Sequence, residues 1–172
     1  MSTQERPTFG VVGGASCRDA DTKLAFETGR EIARAGGVLV CGGGGGVMAA
    51  ACSGAKTIGG TTLGILPGQD AEESEPNSHL DHAIYTGIGQ GRNQIIVLSS
   101  DAVIAIGGEW GTLSEIALAY KHDKPVVLLN SWTVEGPAGQ GLKSLNRAAT
   151  AKEAVATAMG LIGTDPVTPV PE

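Results

Sequence analysis

Aromatic side chains are almost missing: Phe, Trp and Tyr together make up 3% of the 172 residues. Stacking platforms for single-stranded nucleic acid need rings in series, so the composition argues against that class. Positive charge is also short, with 12 Lys and Arg against 18 Asp and Glu and a net charge of −6. A broad phosphate-binding face is thereby excluded, and neither DNA nor RNA is expected as a partner. The three cysteines, Cys17, Cys41 and Cys52, are odd in number and lack CxxC spacing. This argues against a disulfide framework or a thiolate zinc site and fits a reducing compartment. No apolar run reaches the ~18–20 residues that cross a bilayer. Residues 1–7, MSTQERP, hold no apolar signal core, so a cytoplasmic protein without membrane association is expected. GxxxxGK[ST], GxSxG and HExxH are all absent, which removes the P-loop, the hydrolase elbow and the zincin helix. No metal ligand set is expected.

What the chain does have is glycine, 27 of 172 residues, about twice the usual ~7%. The glycines cluster after short apolar runs. Residues 8–12 precede Gly13 and Gly14, residues 38–40 precede the run Gly42, Gly43, Gly44, Gly45 and Gly46, and residues 103–106 precede Gly107, Gly108 and Gly111. Residues 63–66 and 126–129 are two further runs. They are continuous rather than alternating, as in parallel strands covered on both faces. Helical patterns lie between or after them at 21–35, 47–56, 91–99, 112–121 and 143–159. The alternation predicts an α/β fold: a Rossmann-like doubly wound parallel sheet sandwiched between helices. A single domain over residues 1–163 and a flexible tail over 164–172 are expected. Residues 68–81 and 131–142 read as surface loops.

In such a sheet, ligands bind in the crevice beyond the strands' carboxyl ends. Glycine there lets backbone N–H groups approach an anion, and the next helix start adds partial positive charge. Gly13, Gly14, Ser16, Gly42, Gly43, Gly44, Gly45 and Gly46 are therefore candidate donors. Gly107, Gly108, Gly111 and Thr112 form a second candidate anion subsite. The competing reading is that these glycines only make tight turns. Arg92, at a helix start, either forks a phosphate or pairs on the surface. Thr112 and Glu115 have capping-box spacing, which competes with a functional role for the Glu115 carboxylate. Trp110 either covers a ligand ring or packs.

Three segments in order resemble the lonely-guy (LOG-like) superfamily: Gly42 through Met48, Gly91-Arg92-Asn93, and Gly108-Glu-Trp-Gly-Thr-Leu-Ser-Glu115. The resemblance spans residues 8–130 and is greatest to the short bacterial and algal branch that includes molybdenum cofactor carrier proteins. It implies a Rossmann-like fold and a homo-oligomer, dimeric or tetrameric. For the carrier branch it implies binding of the anionic molybdenum cofactor (molybdopterin), with Met48, Asn93 and Glu109 joining Arg92 and the glycines around the ligand. Molybdoenzymes or cofactor-insertion proteins are then candidate recipients. The superfamily's enzymes are nucleoside 5′-monophosphate phosphoribohydrolases, and for that alternative Arg92 and Glu115 are the catalytic pair. Their signature is PGGxGTxxE with an upstream Arg-Lys. Here Gly107 replaces the proline, Glu109 the second glycine, and Asn93 the lysine. One cation is lost and one anion gained, which should weaken ribotide phosphate binding.

Overall fold

The computed structural model describes residues 6–139, 142 and 145–162. Seven strands form one sheet: β1 (Thr8–Gly13), β2 (Val38–Cys41), β3 (Thr61–Leu66), β4 (His82–Tyr85), β5 (Ala102–Ile106), β6 (Val126–Leu129) and β7 (Leu145–Ala148). Their order is β4-β3-β2-β1-β5-β6-β7 and every pairing is parallel. The helices are α1 (Asp19–Arg34), α2 (Val47–Lys56), α3 (Arg92–Leu98), α4 (Trp110–Lys121) and α5 (Ala151–Leu161).

The continuous apolar runs become strands buried on both faces. Residues 9–12 are all fully or nearly fully buried, and so are β5 and β6 throughout. Alternate strand side chains divide between two cores. Val11, Leu39, Ile104 and Val127 pack with α1, α2 and α5, while Val12, Val40, Val103 and Leu128 pack with α3 and α4. The α1–α2 contact is tight enough that glycine is required. A Cβ on Gly29 would collide with the Ala51 carbonyl, and one on Gly54 with the Phe26 carbonyl.

Two edge strands depart from the sequence reading. The Ala, Lys and Glu content of 143–159 predicts one helix. Its described part instead holds β7 and then α5, whose N-cap Thr150 accepts from the Glu153 N–H at 3.2 Å. Register with β6 overrides local propensity there. β4 is a four-residue exposed edge strand that follows the expected 68–81 loop. The expected tail over 164–172 lies outside the described residues. Among the described residues, no helix is long and apolar enough to cross a membrane.

β1 is central, and the chain leaves it first toward β2–β4 and then returns to build β5–β7 on its other side. The crevice therefore opens where β1 and β5 diverge. The far ends of the same two strands are tied by Asp101, whose carboxylate accepts from the Thr8 N–H at 2.7 Å and Oγ1 at 2.9 Å.

Candidate functional site

A cavity of about 420 Å³ lies at the carboxyl ends of β1 and β2, between the starts of α3 and α4. The end of β1 and the turn after it contribute Gly13 and Gly14. A Cβ on Gly13 would stand 2.5 Å from Val47 Cγ1, so glycine lets the strand end pass under the α2 start. β2 leads into Gly42, where a Cβ would overlap the Arg92 guanidinium, with Cζ at 2.7 Å. The missing side chain at 42 is thus the seat of the arginine.

Arg92 opens α3 and Glu115 lies on α4. Their closest atoms, Nη1 and Oε1, are 3.7 Å apart, with side chains 11% and 8% exposed. Burial, partly offset by the Arg92 charge, pushes the Glu115 carboxyl up from 4.5 to about 7. Burial also lowers the Arg92 guanidinium, against the attraction of Glu115. Arg92 Nε is buried with no partner. A dry cation beside an acid that is half-protonated near neutrality leaves positive charge available to an incoming anion.

The capping box does not form. Gly107 at φ +57 and Gly108 at φ +138 turn the chain sharply after β5. Helix α4 therefore begins at Trp110, with Glu109 as an N-cap that makes no side-chain cap bond. Thr112 sits inside the first turn, buried, and both it and Glu115 face the cavity. The Glu109 carboxylate leans on the β1 loop, 3.0 Å from where a Gly14 Cβ would be. Asn93, at the position of the signature lysine, is buried and donates to Ser114 Oγ at 3.0 Å; Ser114 in turn donates to the Gly111 carbonyl at 2.7 Å.

The SLOG cluster4 family matches residues 6–159 of the chain. The protein belongs to this LOG-like family. The fold agrees with solved structures. The molybdenum cofactor binding protein of Rippkaea orientalis is 38% identical with a TM-score of 0.82, over 93% of this chain and 99% of that one. The molybdenum cofactor carrier protein of Chlamydomonas reinhardtii is 36% identical with a TM-score of 0.78, over 93% of this chain and 100% of the other. A Mycobacterium tuberculosis relative, a cytokinin riboside 5′-monophosphate phosphoribohydrolase, is 37% identical over 133 residues, covering 73% of this chain and 71% of its own.

For this family member the candidate residues are not all gathered in one place. Gly13, Gly14, Gly42, Met48, Arg92, Asn93, Glu109, Gly111, Thr112 and Glu115 line the cavity. Gly43, Gly44, Gly45 and Gly46 do not line it. Protein groups lie against this loop. The Gly43 carbonyl accepts the Asn77 N–H at 2.8 Å and its Nδ2 at 3.1 Å. The Gly44 carbonyl accepts the same Nδ2 at 3.1 Å, and a Cβ on Gly44 would stand 3.2 Å from Met48 Cε. A Cβ on Gly45 would lie in ordinary contact with the Ala15 carbonyl, at 3.6 Å. A Cβ on Gly46 would collide with the Gly14 carbonyl, and the Val47 N–H donates to that carbonyl at 3.1 Å. The loop after β2 is thus pinned between Asn77 on one side and the β1 loop on the other. Ser16, Gly107 and Gly108 line a second cavity on the α1 side instead. Gln90 joins the first cavity unanticipated. Its signal was slight, a polar residue between two glycines. Trp110 stands at the rim, 77% exposed, with its ring 5.4 Å from that of Trp132.

Proposed function

We propose that this protein binds and carries the molybdenum cofactor, an anionic pterin, without turning it over. The observation that carries the reading is the Arg92 seat. One buried guanidinium, held over Gly42 with an unpartnered Nε, faces a cavity whose close counter-acid is pushed to about 7. An anionic group entering there replaces Glu115 as the partner of Arg92, and Glu115 takes up a proton. The start of α4, at Gly111 and Thr112, adds backbone N–H groups and partial positive charge on the same side. Two neighbours that match along nearly their full length are named for binding or carrying this cofactor. The cofactor here is cargo, chelating its own molybdenum.

A phosphoribohydrolase reading is favoured by one observation, the Arg92–Glu115 pair itself, and by the name of the mycobacterial relative. Glu115 would stabilise an oxocarbenium-like charge or activate water. Against it, Asn93 supplies no second cation, and Glu109 adds an anion beside the α4 start.

Exposed apolar side chains on and beside α3, namely Ile84, Ile88, Ile95 and Leu98, support a homo-oligomer built on that face.

The test is anaerobic incubation with isolated molybdenum cofactor, followed by gel filtration. Molybdenum and oxidised-pterin fluorescence should co-elute with the protein near stoichiometry and be lost in Arg92→Ala. Their absence, with adenine released from adenosine monophosphate in a Glu115-dependent manner, would replace the carrier reading with the hydrolase.

A further inference from the structure

The second cavity, about 370 Å³, lies across the β1–β5 crevice from the first. Its size is within the range of small-molecule sites. Its walls come from the turn before α1, the Gly107–Gly108 turn and the segment after β6. Trp132 supplies an indole wall, with its Nε1 set 2.7 Å from where a Gly108 Cβ would be. At the side stands a buried carboxylate, Asp21, 3% exposed.

Asp21 is held in place on both oxygens. Asn130, itself at φ +52, donates Nδ2 to Oδ1 at 2.6 Å. Arg18 donates Nε to Oδ2 at 3.1 Å and reaches Oδ1 at 3.5 Å. Each carboxylate oxygen accepts along two lone-pair directions, so the Asn130 bond leaves capacity on both. Arg18 is 73% exposed, an arm that solvent can take. Once it swings off, a fixed carboxylate with two free acceptor directions faces an indole wall. The Ser131 hydroxyl does not compete, because it donates to the Gly107 carbonyl at 2.5 Å.

We infer that this second cavity binds a 2-amino-4-oxopyrimidine ring, the edge shared by guanine and pterin, with Asp21 accepting its ring N–H and amino N–H while Trp132 stacks on its face. The match is one of chemistry. That ring edge offers two parallel donors to a carboxylate, as an Arg fork does. Adenine offers a donor beside a lone pair, and that lone pair would face Asp21 unpaired. Base rings read on an edge and stacked on an aromatic are a general mode of recognition. The inference does not depend on what fills the first cavity.

Unphosphorylated probes lack the anionic group proposed to sit on Arg92, and Trp132 fluorescence reports on the second cavity. The chain has two tryptophans, so Trp110→Phe leaves Trp132 as the sole indole reporter. Guanosine should quench it and bind at least about tenfold more tightly than adenosine. Pterin, titrated by calorimetry with Asp21→Asn as the control for binding elsewhere, distinguishes the sources: tighter Asp21-dependent pterin binding assigns the site to a pterin, tighter guanosine binding to a guanine base. Asp21→Asn should abolish the preference over adenosine. Because that change also loosens Arg18, Arg18→Ala is the surface variant that keeps the test sound. It frees Asp21 and should tighten guanosine or pterin about threefold. Glu115→Gln should leave Trp132 quenching unchanged. Equal binding of guanosine and adenosine, no binding of either guanosine or pterin, or no tightening in Arg18→Ala would each overturn the inference.

Discussion

At the α1–α2 crossing, Gly29 and Gly54 each stand where a methyl would strike a backbone carbonyl of the facing helix; at the start of α4, Gly111 has nothing within 4 Å of its missing methyl. The same residue type serves opposite ends. In the first region it allows two backbones to touch and closes a dry core. In the second it leaves space and bare N–H groups beside a cavity. The five-glycine run mixes the two: a Cβ on Gly46 would strike the Gly14 carbonyl, whereas one on Gly45 would make only an ordinary contact. Gly42 gives its side-chain volume to Arg92. Glycine density therefore marks close approach, and whether the approaching group is protein or ligand is decided by the neighbours.

The comparison can be broken most severely at the helix crossing. Gly54→Val should destabilise the fold by more than about 3 kcal/mol, since backbone must move and no rotamer escapes the contact. Urea denaturation measures it, and a loss under about 1 kcal/mol would mean that the helices are not locked by that glycine.

Next in size is the pH dependence around Glu115. Its pKa is about 7 folded and near 4.5 unfolded. Between those values the folded state holds the extra proton, so stability falls as pH rises. The linkage amounts to at most about 3 kcal/mol. Glu115→Gln mimics the protonated acid at every pH. Wild type should therefore lose stability relative to this variant between pH 5 and pH 8, and parallel stability curves would refute the buried-acid account.

A smaller effect is expected at the seat of the arginine. Gly42→Ala displaces the Arg92 guanidinium and should lower cofactor retention about tenfold, or about 1.4 kcal/mol, with a lesser cost in stability. The mildest change sharpens the contrast by its sign. Gly111→Ala should stabilise the free protein by about 0.5 kcal/mol, because a helical glycine in open space is replaced by alanine. A loss of melting temperature there would show that position 111 is crowded after all.

The central strands were legible because burial on both faces leaves a continuous apolar run, and residues 8–12, 103–106 and 126–129 are such runs. β4 and β7 were not, because an edge strand with polar residues such as His82, Asn146 and Arg147 carries no pattern of its own. Its pairing is imposed by the neighbour. Arg92 and Glu115 were legible through ordered motifs, and the structure brings them to 3.7 Å. Gly44 and Gly45 were ambiguous for a different reason: a glycine beside Met48 or Ala15 and one facing an anion look the same until the fold places the neighbour. The misplaced capping box has a local cause. The two positive-φ glycines, Gly107 and Gly108, start the helix two residues early, and no periodicity announces that. Asp21, Asn130 and Trp132 come from three separate segments with no shared motif, so their convergence is a product of the fold alone.

The order of the strands also fixes the order in which the crevice can exist. β1 is completed early, yet the neighbour that forms the other wall is β5, and the Thr8–Asp101 bonds that tie the pair span 93 positions in the chain. During synthesis, β1 to β4 can pair while one edge of β1 stays open. Closing that edge is the longest-range step in the sheet and, by its contact order, a slow one. Both cavities lie beyond the β1–β5 junction, so neither has its full set of walls until that step is over. Ligand binding is thus a report that the last large loop has closed, and a ligand that binds there selects chains that have finished folding.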